Sequence, residues 1–125
     1  MNKNHIVVGI VVLGVIAVAW LKSGGPTSTG KTTEKLPRLV ELGAGKCVAC
    51  KQMAPIIKGL KDEYAGHIVV ESIDVFEETN RAQPFDWRLI PLQVFLDADG
   101  EELWRHEGPL TKEEIVAKFK ELGMI

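Results

Sequence analysis

Residues 6–21 form an unbroken apolar run, which is unlike the sequence of a soluble domain. None of these sixteen residues is charged, Lys3 precedes them and Lys22 follows them. As a helix the run would extend about 24 Å, and a snorkelling Lys22 with the next residues would complete the ~30 Å of a hydrocarbon core. Amphipathic periodicity is absent, which disfavours a buried core helix.

Two interpretations of this run remain open. Residues 1–22 form an uncleaved signal anchor, or a signal peptide is cleaved after Ala19, which ends a small-x-small tripeptide. Trp20 prolongs the apolar run beyond that point and suits a membrane interface, and both features favour the anchor. Either interpretation predicts export, and we expect a single-pass protein of the cell inner membrane with its folded domain on the periplasmic, extracytoplasmic side.

The rest of the chain divides into a linker and one domain. Residues 23–35 are rich in Gly, Ser and Thr and predict a flexible linker, and residues 36–125 predict a single folded domain. That domain carries 11 Lys/Arg against 16 Asp/Glu, a balance that argues against nucleic-acid binding. Two cysteines and three scattered histidines make neither a disulfide scaffold nor a zinc site, and we expect a monomer without a metal.

Hydrophobic periodicity and turn signals predict alternating strands and helices in the domain. The predicted elements are strand 38–42, helix 48–64 with Pro55 inside it, strand 68–73, a helical turn and loop in 77–90, strand 92–96, strand 101–106 and helix 111–122. The last helix opens with a capping box at residues 111–114. This order predicts an α/β fold with a parallel first strand pair and an antiparallel hairpin.

The pair Cys47 and Cys50 lies at the predicted strand-to-helix junction and points to redox chemistry. The helix N-terminus, with Lys46 and Lys51 nearby, favours a thiolate, and a drop in the Cys47 pKa from ~8.5 to ~7 requires about 2 kcal/mol. Cys47 is then the nucleophile and Cys50 the resolving thiol. A structural disulfide and half of a metal site are the competing interpretations.

Several elements in one order and spacing carry a family resemblance. They are Glu41 six positions before the first cysteine, Cys47 and Cys50 followed by Lys51, Pro55 five positions after the second cysteine, Ile90–Pro91 ahead of a strand, and Gly108 after the last strand. With these elements the chain resembles the thioredoxin superfamily from residue 36 to about 124. The dipeptide between the cysteines, with Lys51, is similar to the C-terminal thioredoxin-like domain of bacterial transmembrane disulfide reductases.

The resemblance implies a minimal thioredoxin-like fold, a four-stranded mixed sheet flanked by helices. It implies a cis Ile90–Pro91 bond facing the cysteines, where substrate binds, against the alternative of a trans proline starting an edge strand. It also implies that Glu41 lies beneath Cys50 and moves its proton, whereas a half-exposed edge residue is the plainer interpretation.

Two features depart from the family pattern. Lys46 stands where an aromatic residue usually precedes the first cysteine, and the tryptophan that normally shields the site is missing. We therefore expect a more open and more electropositive site.

The function that follows is thiol–disulfide exchange with protein disulfide substrates. We expect reduction of exported proteins, with a membrane electron donor restoring the dithiol and no dissociable cofactor, because the cysteine pair is itself the redox group. A disulfide oxidase or isomerase, or a non-catalytic adaptor or metallochaperone on the same fold, remains the alternative.

Overall fold

The structure, a computed structural model, describes residues 35–125. The predicted anchor, residues 1–22, and residues 23–34 of the predicted linker lie outside the described residues. Within the described part of the chain, no helix is both long enough and apolar enough to cross a bilayer.

Residues 35–125 form four strands and three α-helices. They are β1 (Arg38–Gly43), α1 (Val48–Glu63), β2 (Val69–Asp74), α2 (Thr79–Ala82) with a following 3-10 turn (Gln83–Phe85), β3 (Leu92–Leu96), β4 (Glu102–Glu107) and α3 (Lys112–Glu121). The predicted elements are confirmed, with ends that differ by one or two residues. The ambiguous segment 77–90 contains one short helix and one 3-10 turn, and ends in irregular chain.

The sheet has the order β2-β1-β3-β4. Strand β1 pairs parallel with β2 and antiparallel with β3, and β3 pairs antiparallel with β4, which confirms the predicted mixed sheet. Leu42 near the end of β1 lies opposite Leu92 at the start of β3. The loop that follows β1 and the chain that enters β3 therefore meet at the same end of the sheet.

Alternation along β1 sends side chains to two separate cores. Leu39 packs in the first core with Met53 and Leu60 of α1 and with Phe119 of α3. The next residue, Val40, packs in the second core on the opposite face, with residues of β2, β3 and α2. Glu41 therefore points to the α1 side of the sheet.

Helices α1 and α3 form where their sequence signals predicted them. Cys50, Met53, Ile57 and Leu60 form the buried stripe of α1, and burial of such side chains, worth about 1.5–3 kcal/mol for each large one, stabilises the helix around the internal Pro55. The predicted capping box of α3 is present in both directions between Thr111 and Glu114.

Candidate active site

The cysteine pair forms a disulfide at the start of α1. Cys47 is the N-cap residue, and its Sγ accepts a hydrogen bond from the backbone N–H of Cys50 at 3.2 Å. Cys47 is half-buried, whereas Cys50 is only 7% exposed. A substrate therefore has access to the first sulfur, while the second is held behind it.

Three features near Cys47 carry positive charge. The first turn of α1 has no acidic residue, so the partial positive charge of the helix N-terminus is not offset there. Lys46 and Lys51 are exposed on either side of the pair. The ionised form of a thiol at Cys47 is favoured by all three features.

Glu41 is buried on the inner side of the pair, with 3% of its surface exposed. Burial raises the pKa of its carboxyl group, and the hydrogen bond that Ser72 Oγ donates to Oε2 at 2.6 Å offsets part of that rise in pKa. The other carboxylate oxygen, Oε1, lies 2.8 Å from the point where a Cβ on Gly43 would stand. Cys50 Sγ lies 3.4 Å from the same point, so the acid and the inner thiol border one small space.

That space opens into a cavity of about 200 Å³. Its lining includes Glu41, Gly43, Cys50, Lys51 and Ser72. A cavity of this size, lined in part by polar groups, has room for several waters. The absence of a side chain at Gly43 thus leaves the buried acid–thiol pair open on one side.

Asp74 holds the loop that precedes the cysteines. Its carboxylate accepts hydrogen bonds from the backbone N–H groups of Gly45 at 2.9 Å, Phe76 at 3.0 Å and Glu77 at 3.1 Å. The bonds from Phe76, Glu77 and Gly45 lower the pKa of Asp74. The carboxylate therefore ties the loop after β1 to the loop after β2, beside Cys47.

The Ile90–Pro91 peptide bond is cis, as the family resemblance implied. Pro91 is buried and its carbonyl accepts a hydrogen bond from Gly108 N at 2.8 Å, while Ile90 is half-buried. Because Leu92 pairs with Leu42, this segment lies at the same end of the sheet as the cysteine loop. Pro55 is exposed on α1 and does not line the cavity.

Exposed apolar side chains occur on the segments around the pair. Val48 is 72% exposed, Phe76 69% and Leu89 62%, and the ring of Phe76 packs edge-on against Trp87.

Sequence reasoning missed Gly43, Ser72 and Asp74 as parts of this site. Gly43 and Asp74 stand at the end of a strand, where glycine and aspartate are ordinary turn signals. Ser72 reaches Glu41 only through the parallel register of β1 and β2.

The described residues contain no group of three or more His, Cys, Asp or Glu side chains arranged to hold a metal ion. His67 is exposed, and His106 is half-buried with its ring stacked on Trp104.

Comparison with known proteins points in one direction. The family model described as Thioredoxin matches residues 30–121. Thioredoxin C-2 of Corynebacterium nephridii is 32% identical over 81 residues, which cover 65% of this chain and 74% of that protein. Thioredoxin 1 of Chlorobaculum tepidum is 29% identical over 83 residues, covering 66% and 81%. Protein disulfide isomerase-like 1-3 of Arabidopsis thaliana is 35% identical over 82 residues, covering 66% of this chain and 14% of that protein.

Proposed function

The chain belongs to the thioredoxin family, and from this membership and the geometry of its cysteine pair we propose that it reduces disulfides of exported proteins on the outer side of a membrane. It is a thiol–disulfide oxidoreductase, and its redox group is the Cys47–Cys50 pair itself, so the exchange needs no dissociable cofactor. The observation that carries the proposal is the position of Cys47, accessible at the N-terminus of α1 with Cys50 buried behind it above Glu41.

In the proposed cycle the Cys47 thiolate attacks a substrate disulfide. A Cys47–substrate bond forms, the substrate S–S bond breaks, and the first substrate thiolate leaves and takes up a proton. Glu41 then accepts the proton of Cys50, whose sulfur attacks Cys47 and releases the second substrate thiolate. Two electrons pass from the dithiol to the substrate, and a membrane electron donor restores the dithiol.

The surrounding residues have defined parts in this cycle. Lys46 and Lys51 favour the thiolate of Cys47 and attract acidic substrate segments. Ile90 and Pro91 bind an extended substrate chain next to the cysteines, since they lie at the same end of the sheet. The exposed side chains of Val48, Phe76 and Leu89 extend that surface.

Membrane attachment is supported by the apolar run of residues 6–21. Residues 1–22 would anchor the chain in the inner membrane, and the thirteen residues 23–35, as a coil of roughly 20 Å, would keep the domain close to the periplasmic surface. On cell fractionation the untreated chain is expected to remain with the membrane fraction. Protease added to spheroplasts is expected to degrade the domain. A soluble product that starts at residue 20 would instead establish cleavage after Ala19.

Insulin reduction with dithiothreitol as the electron source tests the activity. We expect catalysis by the natural chain, none by Cys47→Ser, and unchanged catalysis by the matched surface variant His67→Ala, since His67 is exposed and belongs to a different end of the fold. Cys50→Ala is expected to accumulate mixed disulfides with natural substrates. Full activity of Cys47→Ser would refute the proposal.

The equilibrium potential of the pair against glutathione tests the direction. A reductant is expected to have a potential near the ≈ −270 mV of thioredoxin, whereas a value near the ≈ −120 mV of the strong oxidant DsbA would assign oxidation instead. Metal retained by the reduced chain would favour a metallochaperone.

A further inference from the structure

A row of polar side chains crosses the sheet beside the buried acid. Glu41 on β1 lies directly opposite Ser72 on β2 and Gln93 on β3, and Gln93 lies opposite His106 on β4. Side chains opposite each other on neighbouring strands have Cβ atoms about 4.5–5.5 Å apart. Ser72 and Gln93 therefore flank Glu41 on its two sides.

Gln93 is the unusual member of this row, because it is completely buried. Its Nε2 donates a hydrogen bond to Met53 Sδ at 3.1 Å, which places the amide on the α1 side of the sheet with Glu41. Its Oε1 has no hydrogen-bond partner within residues 35–125. A buried carbonyl oxygen without a partner destabilises a fold, so its presence calls for an explanation.

The proton cycle of Glu41 supplies an explanation for the unpartnered oxygen of Gln93. As a carboxylate, Glu41 needs donors, and Ser72 is one of them. As a neutral acid it carries an O–H group of its own, which needs an acceptor. Cys50, which has just given up the proton, lines the cavity next to Glu41, whereas Gln93, with its unpartnered side-chain oxygen, stands directly opposite Glu41 on the neighbouring strand.

We propose that Gln93 is a positioning residue for Glu41, and that its side-chain oxygen accepts the hydrogen bond of the protonated carboxyl group, directly or through one water. In the step concerned, the proton leaves Cys50 Sγ for Glu41, the Cys50 electron pair forms the bond to Cys47 Sγ, and the bond from Cys47 to the substrate breaks. By stabilising the neutral acid, Gln93 makes Glu41 a stronger base for Cys50. This inference rests on the proposed function of Glu41.

The charged and titratable groups around Glu41 come from three elements. Cys50 and Lys51 of α1 and Asp74 of β2 line the same cavity, and His106 of β4 ends the polar row. They are unchanged by a substitution at Gln93, so a change in the titration of Glu41 reports on the amide.

The test replaces Gln93 by methionine in the full 125-residue chain, which keeps the length of the side chain and removes both amide groups. The reduced protein is mixed with Ellman's reagent in a stopped-flow instrument. The first release of thionitrobenzoate reports attack by Cys47, and the second reports resolution by Cys50. We expect resolution to slow about three- to tenfold, the worth of one hydrogen bond, while the first phase keeps its rate.

The titration of Glu41, followed by carboxyl carbon-13 NMR, decides between the possible roles of the amide. Loss of an acceptor for the neutral acid moves the midpoint to lower pH. A midpoint that moves to higher pH would mean that the amide donates to the carboxylate, and an unchanged midpoint would mean that Gln93 only packs; both results overturn the proposal.

Two further variants complete the design. Leu39→Met is a volume-conserving change on the same face of β1, two residues farther from the cysteines than Glu41. It is expected to alter neither the rate of resolution nor the titration of Glu41. In a Glu41→Gln background, Gln93→Met is expected to have no further effect on resolution, and an equal slowing there would refute the coupling. Insulin reduction by the natural chain and its loss in Cys47→Ser do not depend on Gln93, so failure of this inference leaves the proposed function standing.

Discussion

Replacement of Gly43 by alanine tests how the acid and the inner thiol are spaced. Gly43 is not among the glycines with positive φ, so its backbone accepts alanine without strain. The new Cβ, however, would stand 2.8 Å from Glu41 Oε1 and 3.3 Å from Cys50 Cβ, where ordinary contacts begin at 3.4 Å. Because the helix backbone fixes Cys50, the carboxylate must give way.

The size of the effect follows from that displacement. Overpacking of a filled site typically costs about 1–3 kcal/mol, and one methyl group against a movable carboxylate belongs at the lower end. A displacement of about 1 Å in a reacting group can cost about 10²-fold in rate, so roughly half of that displacement predicts about tenfold slower resolution by Cys50. Attack by Cys47 should keep its rate, because the three atoms nearest to the new methyl group belong to Glu41 and Cys50.

The two-phase thionitrobenzoate release separates these steps, and Gly45→Ala is the matched control. A Cβ on Gly45 would meet only Asp74 Oδ2, at an ordinary 3.8 Å. We expect both phases to be normal in Gly45→Ala and only the second phase to be slowed in Gly43→Ala. Natural resolution in Gly43→Ala, or equal slowing of both phases, would refute the assignment of Glu41 as the base for Cys50.

Three other predictions follow from single contacts. Burial raises the pKa of Glu41 above 4.5, so that between the unfolded and the native pKa the native state binds more protons than the unfolded state. The protein therefore loses stability as the pH rises through the range between these two pKa values. Glu41→Gln should therefore raise the melting temperature at pH 8 and give little gain at pH 4; equal gains at both would contradict this. Asp74→Asn keeps one acceptor oxygen, for Phe76, and should lose the bond from Gly45. Hydrogen exchange at the Gly45 amide should accelerate, and unchanged protection there would count against the clamp. Thr111→Ala removes the capping box and should lower the free energy of unfolding by about 1 kcal/mol in urea titrations, with insulin reduction retained.

The fold was largely predictable because its signals are local. The capping box at Thr111 and the apolar spacing of α1 each involve residues a few positions apart, and each element formed where it was predicted. Even Pro55 inside α1 was correctly placed, because the buried stripe continues on both sides of it.

The interior of the site was harder to predict because it depends on register. The alternation of β1 allowed either face for Glu41, and only the packing of Val40 into the second core decides it. Gln93 is 52 positions from Glu41, and the two become neighbours only when β3 pairs antiparallel with β1. A glutamine inside an otherwise apolar strand gave no local sign of a role, since its meaning depends on the residue across the sheet.

Gly43 and Gln93 act on the same carboxyl group from different sides, and their effects on its charge differ. The cavity at Gly43 admits water, which favours the carboxylate and lowers the cost of its burial. The carbonyl of Gln93 favours the neutral acid. A relay residue must hold both states in turn, and strong stabilisation of either one would make the next transfer slow. On this proposal the two features oppose each other, so that neither form of Glu41 is stabilised alone, as is required of one residue that takes the proton from Cys50 and later returns it.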